Sequence, residues 1–186
     1  ISILPFEGAR YGREIYRQAC VLSAAEAMKN GEYSNALKLI GKAREWPERL
    51  GVGKPYEVDN RLEDYVEALC NLKLGNRTQS NELLEQVVRY TQDRENDWGS
   101  NRFVGALAFR ALGRDAEASR LINDWAKREP KSLIPQWCSA ILAREYNNAR
   151  RIEHQLKKGF RGNSLAQASL DGNFALLLEL NSIQKF

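Results

Sequence analysis

One spacing of small residues and glycine occurs three times in this chain. Each copy has a small residue, a glycine seven positions later and a second small residue five positions after that. The copies are Ala24, Gly31 and Ala36; Ala68, Gly75 and Ser80; and Ala106, Gly113 and Ala118. A glycine readily adopts the left-handed conformation that ends a helix, and small residues on either side let two helices approach closely. The pattern therefore predicts a series of antiparallel helix pairs.

The apolar residues support this interpretation, because they recur every three or four positions, as in amphipathic helices. No segment shows the alternation typical of a strand. The sequence predicts eight main helices over 11–30, 34–46, 61–74, 78–93, 98–112, 115–128, 132–144 and 147–158, and two short ones over 164–170 and 172–183.

We expect one all-α domain over residues 1–186. That length is sufficient for a sizeable core, and 43% of the residues are hydrophobic. The helices group into repeats over about 11–47, 61–93, 98–130 and 132–158, followed by a C-terminal cap over 163–183. The fourth repeat is a weaker copy that runs through Trp137, Tyr146 and Ala149.

The repeated pattern resembles that of tetratricopeptide (TPR) repeats, in which a proline commonly closes the second helix, as Pro47 and Pro130 would here. The glycines lie 44 and 38 residues apart, so the linkers are irregular. The resemblance implies a TPR-like α-α superhelix, a right-handed solenoid of antiparallel helix pairs. It also implies a protein-interaction scaffold whose concave face binds a peptide, a partner or a neighbouring domain. The implied groove residues are Tyr65, Leu69, Lys73, Phe103, Leu107 and Arg110. The Lys and Asn pattern of chaperone-binding TPR domains is absent from these positions.

A second resemblance concerns residues 43–56 and 61–65. These segments are similar to the C-terminal helical region of uncharacterised bacterial proteins that carry an N-terminal β-sandwich domain of unknown function, itself similar to sugar-mutarotase folds. This resemblance implies an alternative function, an auxiliary helical domain of a carbohydrate-active bacterial protein. Because the sequence begins at Ile1 rather than at Met, we expect a fragment of a longer protein, with any chemistry in a missing N-terminal domain.

The sequence predicts no catalytic, cofactor-binding or metal-binding residue, and the chain is not expected to be an enzyme. His154 is its one histidine, too few for a zinc site without a cysteine pair. The three cysteines, Cys20, Cys70 and Cys138, lie in separate apolar helical contexts and are expected in the core. The Gly51-Val52-Gly53-Lys54 run lacks the glycine and the hydroxyl residue of a phosphate-binding loop. A third hypothesis is that this fragment is itself an enzyme. Turnover of a substrate by the isolated fragment would support that hypothesis.

The basic charge of the chain is local. Residues 127–161 contain nine Lys and Arg and three Glu, whereas residues 1–126 contain 18 basic and 19 acidic residues. Arg and Lys combined with aromatic residues are typical of nucleic-acid surfaces, but these charges are spread over two helices and interleaved with acids. A solvated or domain-docking face is the favoured interpretation, with neither nucleic acid nor membrane as the expected partner. Reduced core cysteines favour the cytoplasm.

Overall fold

The structure is a computed structural model that describes residues 9–94, 99–160 and 172–184. Nine α-helices and one 3-10 helix make up this described part, which confirms the all-α prediction. The helices are α1 (Ala9–Lys29), α2 (Tyr33–Ala43), α3 (Arg61–Lys73), α4 (Arg77–Asp93), α5 (Ser100–Ala111), α6 (Asp115–Arg128), α7 (Leu133–Leu142), α8 (Tyr146–Phe160) and α9 (Gly172–Gln184), with the 3-10 helix at Glu48–Leu50. The helix predicted over 164–170 and the predicted start of the fifth helix at Trp98 lie outside the described residues.

Consecutive helices pack against one another. The chain divides into two compact units. We call residues up to Leu83, with the end of α9 from Glu179, unit 1, and residues Leu84–Leu178 unit 2. In unit 1, α1 packs on α2 and α2 on α3; in unit 2, α5 packs on α6, α6 on α7 and α7 on α8. This order is consistent with a helical-repeat arrangement.

Four helix-to-helix turns in the described residues share one hydrogen-bond pattern. Each turn contains a residue in the left-handed conformation, with φ of 78°, 86°, 78° and 60° at Gly31, Gly75, Gly113 and Arg144. The N–H of that residue donates to the carbonyl three positions earlier, and the next N–H donates to the carbonyl five positions before it, at 2.8–3.2 Å. This is the Schellman arrangement, which satisfies carbonyl groups that the ending helix would leave without partners.

The fourth turn occurs without a glycine. Arg144 takes the left-handed position seven residues after Trp137 and five before Ala149. In this copy a fully buried Trp137 stands where the other three have alanine, while Ala149 keeps the second small position. The glycine pattern could not locate this turn, because an L-residue adopts its backbone at a cost of about 1–2 kcal/mol.

The small residues that flank these turns lie in the interior. The six that the sequence pattern singled out are at most 1% exposed. They are Ala24, Ala36, Ala68, Ser80, Ala106 and Ala118. Their burial agrees with the expectation that small side chains mark the close approach of paired helices.

The helix α2 ends at Ala43, three residues before its predicted end at Trp46. Pro47 disfavours the helical conformation for the residue before it, and Arg13 supplies a partner at the new end. Its Nη2 donates to the Ala43 carbonyl at 2.6 Å, and its guanidinium carbon lies 4.5 Å from the centre of the Trp46 ring. A buried cation therefore caps the negative end of α2 and stacks on the indole beyond it.

The core of unit 2 is centred on an aromatic cluster. Trp137 of α7 contacts Phe103 of α5 and Phe174 of α9 edge-on, at ring-centre distances of 5.5 and 5.4 Å. Phe174, which was assigned to the C-terminal cap, is 2% exposed. Its side chain thus packs α9 against α7 in the interior of unit 2.

We predict that Arg144→Gly raises the free energy of unfolding by about 1 kcal/mol, because glycine removes the strain of φ 60°. Gly113→Ala should lower it by a similar amount. An added Cβ at Gly113 would meet no atom within 4 Å, so the cost is confined to the backbone. Urea denaturation measures both changes.

Arg144→Ala is the control for this pair, because it keeps an L-residue in the left-handed position and should change stability by less than about 0.5 kcal/mol. Equal stability of the Gly and Ala variants at position 144 would contradict the strain argument.

A second prediction concerns Gly105 on α5. A Cβ at this position would lie 2.5 Å from both Cγ2 and Oγ1 of Thr91 on α4. Thr91 is itself buried, and its hydroxyl donates to the Val87 carbonyl at 2.8 Å. We expect Gly105→Ala to destabilise the protein by about 1–3 kcal/mol through overpacking.

A double-mutant cycle with Thr91→Ala checks this steric cause. Thr91→Ala removes the Cγ2 and Oγ1 atoms that an added Cβ would meet. The cost of Gly105→Ala should therefore fall in the Thr91→Ala background. Additive effects of the two substitutions, measured by urea denaturation, would show that the cost has another origin.

Candidate functional site

The six residues of the predicted groove lie at very different depths. Tyr65, Phe103 and Leu107 are 5%, 0% and 3% exposed, so their side chains belong to the interior. Leu69 and Arg110 are half-buried and Lys73 is exposed. The α3 residues of the set belong to unit 1 and the α5 residues to unit 2. The binding role of the set stays a prediction.

Two of these side chains have structural partners in unit 2. Phe103 packs edge-on against Trp137. Arg110 places Nη1 3.5 Å from the Ile141 carbonyl and Nε 3.9 Å from the Asp115 carboxylate. A residue at a first-helix position of this chain can therefore face the next helix pair rather than solvent.

A buried ion pair joins α1 to α3 in unit 1. The Arg17 guanidinium donates from Nε and Nη2 to the two oxygens of Glu63, at 2.5 and 3.1 Å, and Glu63 is 1% exposed. Burial alone would lower the pKa of Arg17, but the charge and hydrogen bonds of Glu63 outweigh it and raise that pKa above its ordinary value. Two parallel bonds of this kind fix the relative position of the two helices.

A second ionic cluster joins α2 to α3. Arg44, directly after α2, contacts Asp64 Oδ1 at 2.7 Å and Glu67 Oε2 at 2.5 Å. Burial raises the pKa of the Asp64 carboxyl above its ordinary value, although its bond to Arg44 acts in the opposite direction. The cluster holds charged groups in place at the wall of the adjoining cleft.

That cleft, the polar cleft of unit 1, has a volume of about 780 Å³. It lies among α2, α3 and the first turns of α4. Its lining residues are Leu37, Gly41, Arg44, Glu67, Asn71, Gly75, Asn76, Arg77, Thr78, Gln79 and Glu82. Most of these offer hydrogen-bond donors or acceptors, so the cleft can bind a polar ligand or a peptide backbone.

Two amide side chains that line the polar cleft are held by hydrogen bonds. Asn71 donates through Nδ2 to the Glu67 carbonyl, and Asn76 donates through Nδ2 to Asn71 Oδ1, both at 3.1 Å. Arg77, Gln79 and Glu82 are exposed at its opening. The walls are thus fixed by hydrogen bonds, while the rim is open to solvent.

Unit 2 has a cleft of about 640 Å³ between the end of α4, α5 and α6. It is the more basic of the two, because four cations and two carboxylates line it. These charged residues are Arg102, Arg120, Lys127, Arg128, Glu117 and Asp124. Arg102 is mostly buried and lies 3.5 Å from the Leu121 carbonyl, which places it in the junction of α5 with α6.

The groups considered for chemistry lie apart from these clefts. Among the described residues, no three His, Cys, Asp or Glu side chains come together in a way that could hold a metal ion. Cys20, Cys70 and Cys138 are free thiols in the interior, and burial raises the pKa of Cys70 to about 12, which keeps it protonated at neutral pH. No helix in the described ranges has the length and apolarity to span a membrane.

The sequence comparisons give no family for this chain: no family model, no curated protein and no solved structure matches it. The arguments about its function therefore rest on its own residues.

The polar cleft was not found from the sequence, although a signal for it exists. The first turn of α3 places Arg61, Glu63 and Asp64 inside the protein, where a helix of this kind would normally bury apolar residues. Charged residues at core positions of a helix indicate partners on the neighbouring helices. A search for such positions would have pointed to the ionic clusters beside the cleft.

We predict that Glu63→Ala lowers the free energy of unfolding by about 3–5 kcal/mol, because it leaves the Arg17 guanidinium without its buried counter-ion. Glu14→Ala is the matched control. Glu14 pairs with the same Arg17 at 3.2 Å, but its side chain is 42% exposed, so its loss should cost about 1 kcal/mol or less. Equal losses for the two variants in urea denaturation would contradict a special role for the buried pair.

Proposed function

We propose that this chain is a non-catalytic protein-interaction scaffold, a TPR-like α-α superhelix that holds a peptide segment of a partner protein in the polar cleft of unit 1. The observation that carries the proposal is the shared Schellman turn, repeated at Gly31, Gly75, Gly113 and Arg144. Chains built from stacked helix pairs bind partners on the extended surfaces that the stacking of neighbouring pairs creates. The polar cleft is such a surface, because α2 of one pair faces α3 and α4 of the next.

The dimensions and chemistry of the cleft support a peptide as the ligand. Its volume of about 780 Å³ is within the usual range of ligand-binding clefts. An extended peptide presents an N–H and a C=O at each residue, and side chains such as Gln79 and Glu82 can bind one or the other. The Arg44–Glu67 ion pair and the Asn71–Asn76 hydrogen bond hold the walls, which lowers the entropic cost of binding.

This proposal differs from the groove implied by the TPR resemblance. That groove depended on Tyr65 and Phe103 as aromatic anchors, and both side chains are buried. Lys73 is the one member of the set that is fully exposed. Substitution of Lys73 therefore distinguishes binding at the groove implied by the TPR resemblance from binding in the polar cleft.

A peptide-display experiment tests the proposal. Random 12-residue peptides are selected on the purified protein, and the affinity of the enriched peptides is measured by fluorescence anisotropy. We expect the combined variant Arg77→Ala/Gln79→Ala/Glu82→Ala to weaken binding about tenfold, which corresponds to about 1.4 kcal/mol, because it removes the exposed polar groups at the rim of the cleft.

The matched control removes the same three residue types at exposed positions outside the cleft, Arg89→Ala, Gln86→Ala and Glu48→Ala. It should change the affinity less than twofold, and circular dichroism should show both variants to be helical. Failure to enrich any peptide would contradict the proposal. Binding that is lost in Lys73→Ala but retained in the rim variant would place the site on the face of α3 instead.

A further inference from the structure

The outer surface of α8 presents two adjacent arginines, Arg150 and Arg151, and no carboxylate beside them. Ala149, Ile152 and Leu156 are buried and face α7, which packs against α8. At 100° per residue the opposite face presents Asn147, Arg150, Arg151 and His154, all of which are exposed. No carboxylate lies among them. We call these four residues the α8 outer face.

The nearest acidic groups are already engaged. Glu153, at the edge of the face, pairs with Lys157 at 2.5 Å. Glu145, before the helix, accepts a hydrogen bond from Asn148 Nδ2 at 3.0 Å, and Arg151 Nη2 donates to Asn148 Oδ1 at 2.9 Å. Arg151 is thus linked to Glu145 only through the neutral Asn148 amide, and no carboxylate lies beside Arg150 and Arg151 on the outer face itself.

More cations occur in the neighbouring part of unit 2. The turn at Arg144 reverses the chain, so α8 runs back along α7, and α7 packs on α6. Seven exposed cations occur between residues 127 and 157, against two exposed carboxylates and the half-buried Glu153. The cations are Lys127, Arg128, Lys131, Arg144, Arg150, Arg151 and Lys157.

We infer that the α8 outer face is a docking surface for an acidic segment of a partner protein. Arg150 and His154 lie one helical turn apart, and carboxylates spaced three or four residues along an acidic helix have the same separation. An Arg guanidinium binds a carboxylate through two parallel hydrogen bonds. Charge complementarity of this kind gives both specificity and fast association.

The shape and extent of the surface favour an acidic peptide over nucleic acid. Proteins that bind single strands combine a positive groove with several stacking aromatic side chains, whereas the α8 outer face is one side of a single helix and has one exposed aromatic residue near it, Tyr146, at the start of the helix. Residues 1–126 contain 18 basic and 19 acidic residues, so the excess positive charge of the chain lies in residues 127–161.

The inference concerns a surface of unit 2 and does not rest on the polar cleft of unit 1. The test is an NMR titration of the ¹⁵N-labelled protein with a peptide of four Glu-Ala-Ala-Ala repeats. A thymidine oligonucleotide of equal charge and a peptide with Gln in place of Glu are titrated in parallel. We expect amide shifts concentrated over residues 144–157, and an affinity about tenfold lower in Arg150→Glu/Arg151→Glu.

The control is Lys38→Glu/Arg89→Glu, which makes the same change of net charge at exposed positions elsewhere and should alter the affinity less than twofold. Equal losses in the two variants would overturn the inference, since binding would then follow net charge alone. Tighter binding of the oligonucleotide than of the Glu peptide would overturn it in favour of nucleic acid. Peptides selected for the polar cleft should bind Arg150→Glu/Arg151→Glu normally, so the two proposals can fail separately.

Discussion

The left-handed residue at four of the helix-to-helix turns is the constraint on which the rest of the structure depends. At each of these turns a Schellman cap ends one helix and the next helix begins four positions later, and so short a connection favours an antiparallel pair of neighbouring helices. The small residues on either side, such as Ala106 and Ala118, are buried because this closeness leaves little room. The pairing of the helices therefore depends on one backbone conformation. The surfaces between the pairs depend on it in turn.

In unit 1, ionic groups connect one helix pair to the next. Arg17 and Glu63 join α1 to α3, and Arg44 joins the end of α2 to Asp64 and Glu67 of α3. Apolar surfaces of similar shape can slide past one another, whereas a two-point Arg–carboxylate contact has a narrow range of permitted geometries. These pairs place α3 accurately against α2, and the polar cleft has its fixed wall at that junction.

Much of the fold could be predicted from the sequence, because glycine and small-residue spacing report backbone geometry directly. The turns at Gly31, Gly75 and Gly113 lie where the pattern put them. The fourth turn was expected near its place from the weaker copy through Trp137, Tyr146 and Ala149, but no glycine marked Arg144 as its left-handed residue. The end of α2 was misplaced because its cap, Arg13, is 30 residues away in the chain.

The candidate sites were harder to predict, for a different physical reason. Helical periodicity tells which face of a helix is apolar, but not whether a residue such as Phe103 faces solvent or the next helix pair. The polar cleft requires the relative placement of three helices, which depends on contacts such as Arg17 with Glu63, 46 residues apart. The basic character of residues 127–161 was visible in the sequence. That Arg150 and Arg151 lie together on the outer face of α8 became visible only with the burial of Ala149, Ile152 and Leu156.

The packing of each helix on its neighbour in sequence also bears on how the chain folds. Contacts between adjacent helices close only short loops, so they form early and at little entropic cost, and proteins rich in such contacts fold quickly. The Arg17–Glu63 contact spans a whole helix pair and forms only after α1, α2 and α3 are in place. A late, desolvated ion pair of this kind adds little to the folding rate but slows unfolding, because it must be broken before the helix pairs separate. We therefore expect the buried charges of unit 1 to slow unfolding more than they speed folding.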